Sequence, residues 1–407
     1  MCENTPQITF DDVFMLLLLS AVAVIFLILM TRFMRRNVLW RAAVTPLASI
    51  IGSGFLVLGP ILVHHFGVWA PWIMLVLCML AWGFGSALRA NIQRIGEGKK
   101  GAGQAADSQL ENVSAWILSV AYMISVAYYL NLFGSFAVSL TQYDTQTTAR
   151  WVTTCVYLTI LVMGYWRGFR MLESVEYQAV AIKLAVIGAL IFALGEFTWG
   201  AAEDNALVFP SADIGHWEAL TLVFGLLITV QGFETSRYLG ASYTAVTRIR
   251  SMKLAQVVAA LIYLAYVILL TYSLPVPKND ISETEIISLM GQVSPFLPVL
   301  LVAAALAAQF SAAIADTGGA GGLLEEVSRK VFTERQGYLV VCIVGLILTW
   351  VADVFTIIVI ASRAFAFYYA VQAYIAAHNA QGREKVLFAS MSFTALAAAL
   401  LGTSVET

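Results

Sequence analysis

Apolar residues along this chain come in runs of roughly 17 to 25, separated by shorter polar stretches. Twelve such runs predict twelve membrane-spanning helices, at about 13–31, 44–65, 69–90, 113–139, 151–166, 171–196, 217–238, 253–274, 295–317, 338–352, 354–378 and 385–402. Runs of this length cross a hydrocarbon core of roughly 30 Å at about 1.5 Å per residue. The segments 151–166 and 338–352 are short, and the join at Asp353 is tight. The longest polar stretch, RANIQRIGEGKKGAGQAADSQLEN at 89–112, reads as a loop. No loop is long enough for a catalytic or signalling domain, so function must lie in the helical bundle.

Two runs are interrupted at mid-depth. In PLASIIGSGFLVLGPIL (46–62) the break is Gly52-Ser53-Gly54, with Gly59-Pro60 further along; in LITVQGFETSRYLG (227–240) it is Gln231-Gly232-Phe233-Glu234. Glycine lowers the barrier to unwinding, and unwound backbone is tolerated at that depth only where it is buried in protein or lines a cavity. Close packing through small residues explains one such glycine. Two polar-flanked breaks, five spans apart, point instead to a site built from discontinuous helices in a transporter with inverted repeats. A half-helix N-terminus offers free N–H groups to a carboxylate, and the opposite carbonyls suit an ammonium or another cation.

Composition agrees with a membrane bundle. Of 407 residues 60% are hydrophobic and 12% charged, against about 25% charged in soluble domains. The net charge of −2 suggests no nucleic-acid partner. Cys2, Cys78, Cys155 and Cys342 show neither a disulfide framework nor metal-ligand spacing and read as small apolar fillers. The first run follows MCENTPQITFDD, which has no Lys or Arg, and precedes Arg32, Arg35 and Arg36, so it reads as a retained helix rather than a signal peptide.

Charge placement tests the count of spans. With the N-terminus outside, 18 of the 23 Lys and Arg residues fall in inward loops, and only Arg150 and Lys278 fall outside. The C-terminus is then also outside, in a bacterial plasma (inner) membrane. Three basic residues remain within spans, Lys183, Arg237 and Arg363, with Glu234 and Asp316 as the available counter-charges. Charges in hydrocarbon are costly and mark functional candidates. Lys183 is near mid-depth, beyond the reach of an interface, and reads as an internal cation. Arg363 reads as either a gate or a structural pair. Arg237 reads as solvated or lipid-facing at the inner end of its span, and Asp316, before GGAGG, as a coupling residue or the cap of a helix break. His64, His65 and His216, with Asp213 or Glu218, read as solvated interfacial residues ahead of a metal site. No nucleophile–base pair is evident in the bundle, so no enzyme and no cofactor is expected. Trp69, Trp72, Trp116, Trp151, Trp199, Trp217 and Trp350 fall near span ends as an interfacial belt, while Tyr122, Tyr128, Tyr129, Phe133 and Tyr368 lie deeper, mostly as packing residues.

The stretches SIIGSGFLVLGP, VWAPWIMLVLCMLAWGFGSAL, GFRMLESVEYQAVAIKLAVIGALIF, QGFETSRYLGASYTAVTRIRSMKLA and FSAAIADTGGAGGLLEEVSRK, in that order over about 44–380, resemble the first, second, fifth, sixth and eighth core helices of the amino acid–polyamine–organocation (APC) transporter superfamily. The resemblance implies an all-α LeuT-type 5+5 inverted repeat. The expected division is an extra N-terminal helix and basic linker (1–43), two five-helix repeats (44–196 and 197–380) and a C-terminal helix (381–407). It implies that a substrate carboxylate binds Ile51, Gly52, Ser53 and Gly54, and that Gln231, Gly232, Phe233 and Glu234 receive the amino end and form an aromatic gate. It implies that Lys183 stands where sodium-coupled relatives bind sodium, completed by the region of Ser311. The chain departs from the family in its first span, in having a single span after the core, and in SRYLG where many members carry an acidic pair and a Pro-containing loop. The expected function is alternating-access transport of an amino acid or related amine, proton-coupled or exchanging, with an oligomer possible. A nucleobase, an organic cation or an inorganic ion as the solute, or a solute-sensing scaffold, is the alternative.

Overall fold

A computed structural model describes residues 10–52, 54–96, 104–167, 169–239, 242–277, 282–329 and 331–403. Cys2, Ser53, Lys99, Lys100, Lys278 and Lys330 lie outside the described residues. The helices are α1 Phe10–Met30, α2 Arg32–Arg36, α3 Val38–Ile50, α4 Gly54–Phe66, α5 Ala70–Gly96, α6 Gln104–Val138, α7 Gln146–Arg167, α8 Phe169–Glu203, α9 His216–Gly225, α10 Thr235–Tyr238, α11 Ala245–Ser273, α12 Glu285–Val293, α13 Leu297–Val327, α14 Glu334–Val351, α15 Val354–Asn379 and α16 Gly382–Leu401.

Among the described residues, eight helical stretches are long and apolar enough to cross a membrane, with Gly54–Gly96 counted as one, and Val38–Ile50 and Arg335–Val351 are shorter apolar helices. Two passes are broken, α3–α4 and α9–α10. With α4 and α5 separated at the short turn Gly67–Trp69, and with α7 and α14, the chain makes twelve passes over the segments the sequence predicts. Side-chain caps fix several starts: Asn37 accepts from Trp40 N at 3.1 Å, and Thr333 with Gln336 forms a capping box at α14.

Helix pairing carries the internal repeat. Exchange α3–α4 with α9–α10, α5 with α11, α6 with α13, α7 with α14, and α8 with α15. The pairs α6–α13, α5–α11 and α7–α14 then map onto themselves. The pair α6–α15 maps onto α13–α8, α5–α15 onto α11–α8, and α6–α7 onto α13–α14. The flanking helices obey the same exchange, since α1 packs on α8 and α16 on α15. The outer face of α1, with Leu16, Leu17 and Leu27 exposed, has the apolar surface of a lipid-facing helix. The belt tryptophans are exposed, whereas Tyr122, Tyr128, Tyr129 and Tyr368 are buried in the centre.

Three expectations are corrected. The stretch 89–112 is not one loop: α5 runs to Gly96 and α6 starts at Gln104, because polar residues continue both helices past the apolar segments. No break follows Asp316, since α13 continues unbroken through the glycines to Val327. Arg237 is neither solvated nor lipid-facing; its side chain is 9% exposed and pairs with Glu111.

Candidate functional site

The first break starts where α3 runs out. Its C-cap, Ile51, leaves the helical region at φ −83°, ψ 54°, and α4 restarts at Gly54. The last turn of α3 therefore presents carbonyls with no partner in the helix. Lys183, wholly buried on α8, supplies one: its ammonium donates to Ala48 O at 2.8 Å and Ile51 O at 2.7 Å. A cation there also meets the negative end of the helix dipole. A void of about 10 Å³ beside it is lined by Gly52, Phe55, Leu56, Ala304 and Ala308, among others. Ala304 and Ala308 of α13 line the same void as Lys183, and the Ser311 hydroxyl donates to Ala308 O at 3.0 Å.

The second break is pressed against the first. Gly232 has φ +119°, and a Cβ there would lie 2.5 Å from Ile50 N and 2.6 Å from the Ser49 carbonyl carbon. Only glycine permits both the conformation and the approach. Gly54 faces the second break in turn, with Thr229 Cα 2.9 Å from where its Cβ would be. Tyr263 ties the two together, its hydroxyl within hydrogen-bond distance of Ile50 O (2.5 Å) and Thr229 O (2.9 Å).

Around this junction is a buried polar shell. Glu234 Oε2 accepts from Gly232 N (2.9 Å) and from the Tyr369 hydroxyl (2.8 Å), and Glu234 Oε1 has no hydrogen-bond partner among the described residues. Gln231 Nε2 donates to the Tyr129 hydroxyl at 3.0 Å, and its Oε1 is also unsatisfied. Phe233 stacks on Tyr369 (5.2 Å, 18°), whose other face meets Phe84 (5.3 Å, 9°). Asp316 accepts from Ser125 and, at a long 3.5 Å, from Ser49, which joins α13, α6 and α3. Gln309, two turns before Asp316 on α13, is fully buried with both amide atoms unsatisfied. Buried polar atoms are normally paired, so the unmet acceptors of Glu234 and Gln231 make this junction the candidate site.

The structure brings Ile51, Gly52, Gly54, Gln231, Gly232, Phe233 and Glu234 to one junction, with Lys183 behind the first break and Asp316 beside it. Ser53 lies outside the described residues. Arg363 is elsewhere: its guanidinium donates to Gly402 O at 2.6 and 3.0 Å, beyond the end of α16. Sequence reasoning placed Tyr129 among the deep aromatics, mostly as packing, and missed Tyr263, Tyr369 and Gln309, which carry no charge and lie outside the two helix breaks. It also missed a cluster toward one end of the bundle. There Arg237 binds Gln372 and Glu111, Gln372 Nε2 donates to Ser114 at 2.7 Å, and Asn91 Nδ2 donates to Gln372 Oε1 at 2.9 Å. His64 Nδ1 donates to Pro277 O at 2.9 Å. No group of three or more His, Cys, Asp or Glu residues suited to a metal occurs among the described residues.

Comparisons with known proteins agree with this architecture. An uncharacterized protein of Aquifex aeolicus (strain VF5) is 41% identical over 355 residues, covering 86% of each chain. The fold is similar to that of Mhp1, a nucleobase-cation-symport-1 family transporter solved in a closed conformation with bromovinylhydantoin bound. The TM-score is 0.55 at 14% identity, over 89% of this chain and 90% of that one. The family model described as APC superfamily transporter matches residues 32–405, and the chain belongs to that superfamily.

Proposed function

We propose that this APC superfamily transporter moves an amino acid or related amine by alternating access around the two helix breaks. The unsatisfied Oε1 of Glu234, buried at the second break, carries this reading. A buried acceptor without a donor costs about 1–3 kcal/mol. An ammonium on the solute supplies that donor, and the Gln231 Oε1 three residues earlier offers a second acceptor. The start of α4 at Gly54 offers N–H groups to the carboxylate at the other end. Lys183 is the proton site in this reading. Protonated, it holds Ala48 O and Ile51 O; without its proton, the first break loses that clamp and α3 is freed to move. Ser311 and Asp316 are second-order members of the same coupling region.

Further parts of the reading follow from charge and pairing. The chain sits in a bacterial plasma membrane with both termini outside, and its repeats are 44–196 and 197–380 between an extra helix at each end. A second reading, a planar nucleobase-like solute, is favoured by the unmet amide of Gln309 and by the aromatic wall of Phe233 and Tyr369.

Uptake by proteoliposomes decides between them. Amino acids, amines and nucleobases are each offered with and without an imposed pH gradient, to wild type, Glu234→Gln and Lys183→Met. The first reading expects amine uptake that falls at least about 100-fold in Glu234→Gln, as for loss of a charged hydrogen bond of about 3 kcal/mol. It expects Lys183→Met to abolish the response to the gradient. Nucleobase uptake alone sinks the amine, and an undiminished gradient response in Lys183→Met sinks the lysine's role.

A further inference from the structure

A groove of about 430 Å³ opens on the side of the bundle between α5, α11 and α16, walled by Met79, Trp82, Val257, Ala260 and Met391. Its inner end reaches Ile50, Val230 and Tyr263, the back of the two helix breaks. A second hollow of about 790 Å³ adjoins it at the ends of these helices and of α15, sharing Ser86 and Leu387, and is the more polar of the two. Its charged lining is Arg89, Arg94 and Lys253 against the single acid Glu384.

We propose that this continuous groove is a binding site for one anionic phospholipid, with its headgroup at Arg89, Arg94 and Lys253 and one acyl chain along α5 and α11 to the helix breaks. The dimensions fit one leaflet. From Arg89 to Met79 is ten residues of continuous helix, roughly 15 Å, half of a hydrocarbon core of about 30 Å. The polarity changes where a lipid changes from headgroup to chain. At that level Arg89 is held in place, its guanidinium 4.5 Å over the Trp82 ring and bonded to Gln256. Gln256 in turn donates to Ala81 O at 2.7 Å. Arg94 lies 3.9 Å from Glu111, so part of its charge is already answered, whereas Lys253 is exposed and faces the hollow. Basic hollows between membrane helices on the inner side are suited to anionic headgroups. The chain end then presses on Ile50 and Val230, next to the Tyr263 hydroxyl that binds both breaks. Occupancy by lipid thus bears directly on the moving parts.

Native mass spectrometry of the full chain in detergent tests this. It is titrated with phosphatidylglycerol, with phosphatidylcholine of the same acyl chains, and with glycerol phosphate alone. One phosphatidylglycerol per chain is expected, held about 30-fold tighter than phosphatidylcholine, as two net positive contacts of about 1 kcal/mol each would give. Lys253→Glu should erase that preference. Val257→Trp, which fills the groove, should remove the bound lipid; Ala260→Trp does the same from the next turn, in case the first variant fails to melt like wild type. Equal retention of the two lipids, lipid retained in a folded groove-filling variant, or glycerol phosphate binding as tightly as phosphatidylglycerol would each overturn the proposal.

Discussion

Gly232 is the residue on which the contact of the two breaks turns. Its φ of +119° is closed to side-chain-bearing residues, and a Cβ would meet Ile50 N at 2.5 Å. Gly232→Ala is therefore expected to lose about 2 kcal/mol or more, the strained backbone alone accounting for 1–3. Thermal melting in detergent checks it, and a melting temperature equal to wild type would mean that the breaks are not pressed together. The two charges that matter most here, Lys183 and Glu234, were legible in the sequence because an ionisable side chain in hydrocarbon has few explanations. Their partners were not. Ala48 O and Ile51 O are backbone atoms 135 and 132 residues from Lys183, and Tyr369 is 135 residues from Glu234. Nothing in a single sequence pairs positions so far apart. Tyrosines and glutamines inside spans are also ambiguous by type, because the same residues serve plain helix packing.

Element boundaries depend on local chemistry, and Asp353 shows how. Only Ala352 and Asp353 separate α14 from α15, and the Asp353 carboxylate caps α15 by accepting from Thr356 N at 2.9 Å and from the Thr356 hydroxyl at 2.5 Å. Partial burial pushes its pKa up, but those hydrogen bonds outweigh burial and leave it below the ordinary 3.8. The sign follows: a carboxylate with a lowered folded-state pKa stabilises above its unfolded value, and that stability is lost as pH falls through the folded one. Asp353→Ala should cost about 1 kcal/mol near neutral pH, as for other lost caps. The melting temperatures of variant and wild type should converge below about pH 4; a constant gap down to lower pH would deny the carboxylate this role. Arg363 does similar work at the far end of α16, bonding Gly402 O, while Thr403 N donates to Thr221 O (3.0 Å) on α9. Arg363→Met should loosen this strap on the α9 half of the second broken pass, seen as faster amide exchange at Gly402 and Thr403 with uptake retained. Protection unchanged from wild type would show the arginine to be idle. Span positions were legible because apolar length is a direct physical requirement. Helix ends were not, because α5, α6, α8 and α13 continue in polar residues once outside hydrocarbon.

At the scale of the whole molecule, the two ends of the bundle are held differently, and the polar cluster around Arg237 closes one of them. Arg237 on α10 binds Glu111 on α6 and Gln372 on α15, Asn91 on α5 donates to Gln372, and Arg248 at the start of α11 donates to Arg237 O at 2.6 Å. Three passes and the short α10 thus meet at one carboxylate, since Arg94 also faces Glu111 and Gln372 Nε2 donates to it at 3.2 Å, and Arg248 adds α11 through the Arg237 carbonyl. Sequence reading placed Arg237 in solvent or against lipid because its acid is 126 residues earlier, in a stretch that looked like loop. Glu111→Gln keeps the shape and removes the charge. Arg237, 9% exposed, then loses the carboxylate it is bonded to, and breaking a buried pair costs several kcal/mol. The molecule can relieve that cost by opening this end, and about 1.4 kcal/mol is already a tenfold change in the ratio of closed to open forms. Glu111→Gln is therefore expected to raise amide exchange in α10 and the first turns of α6 by tenfold or more. The strap at Gly402 and Thr403 should stay protected. Exchange that rises equally at both ends would indicate general loosening, and exchange unchanged at α10 would show that the Arg237 cluster does not latch this end of the bundle.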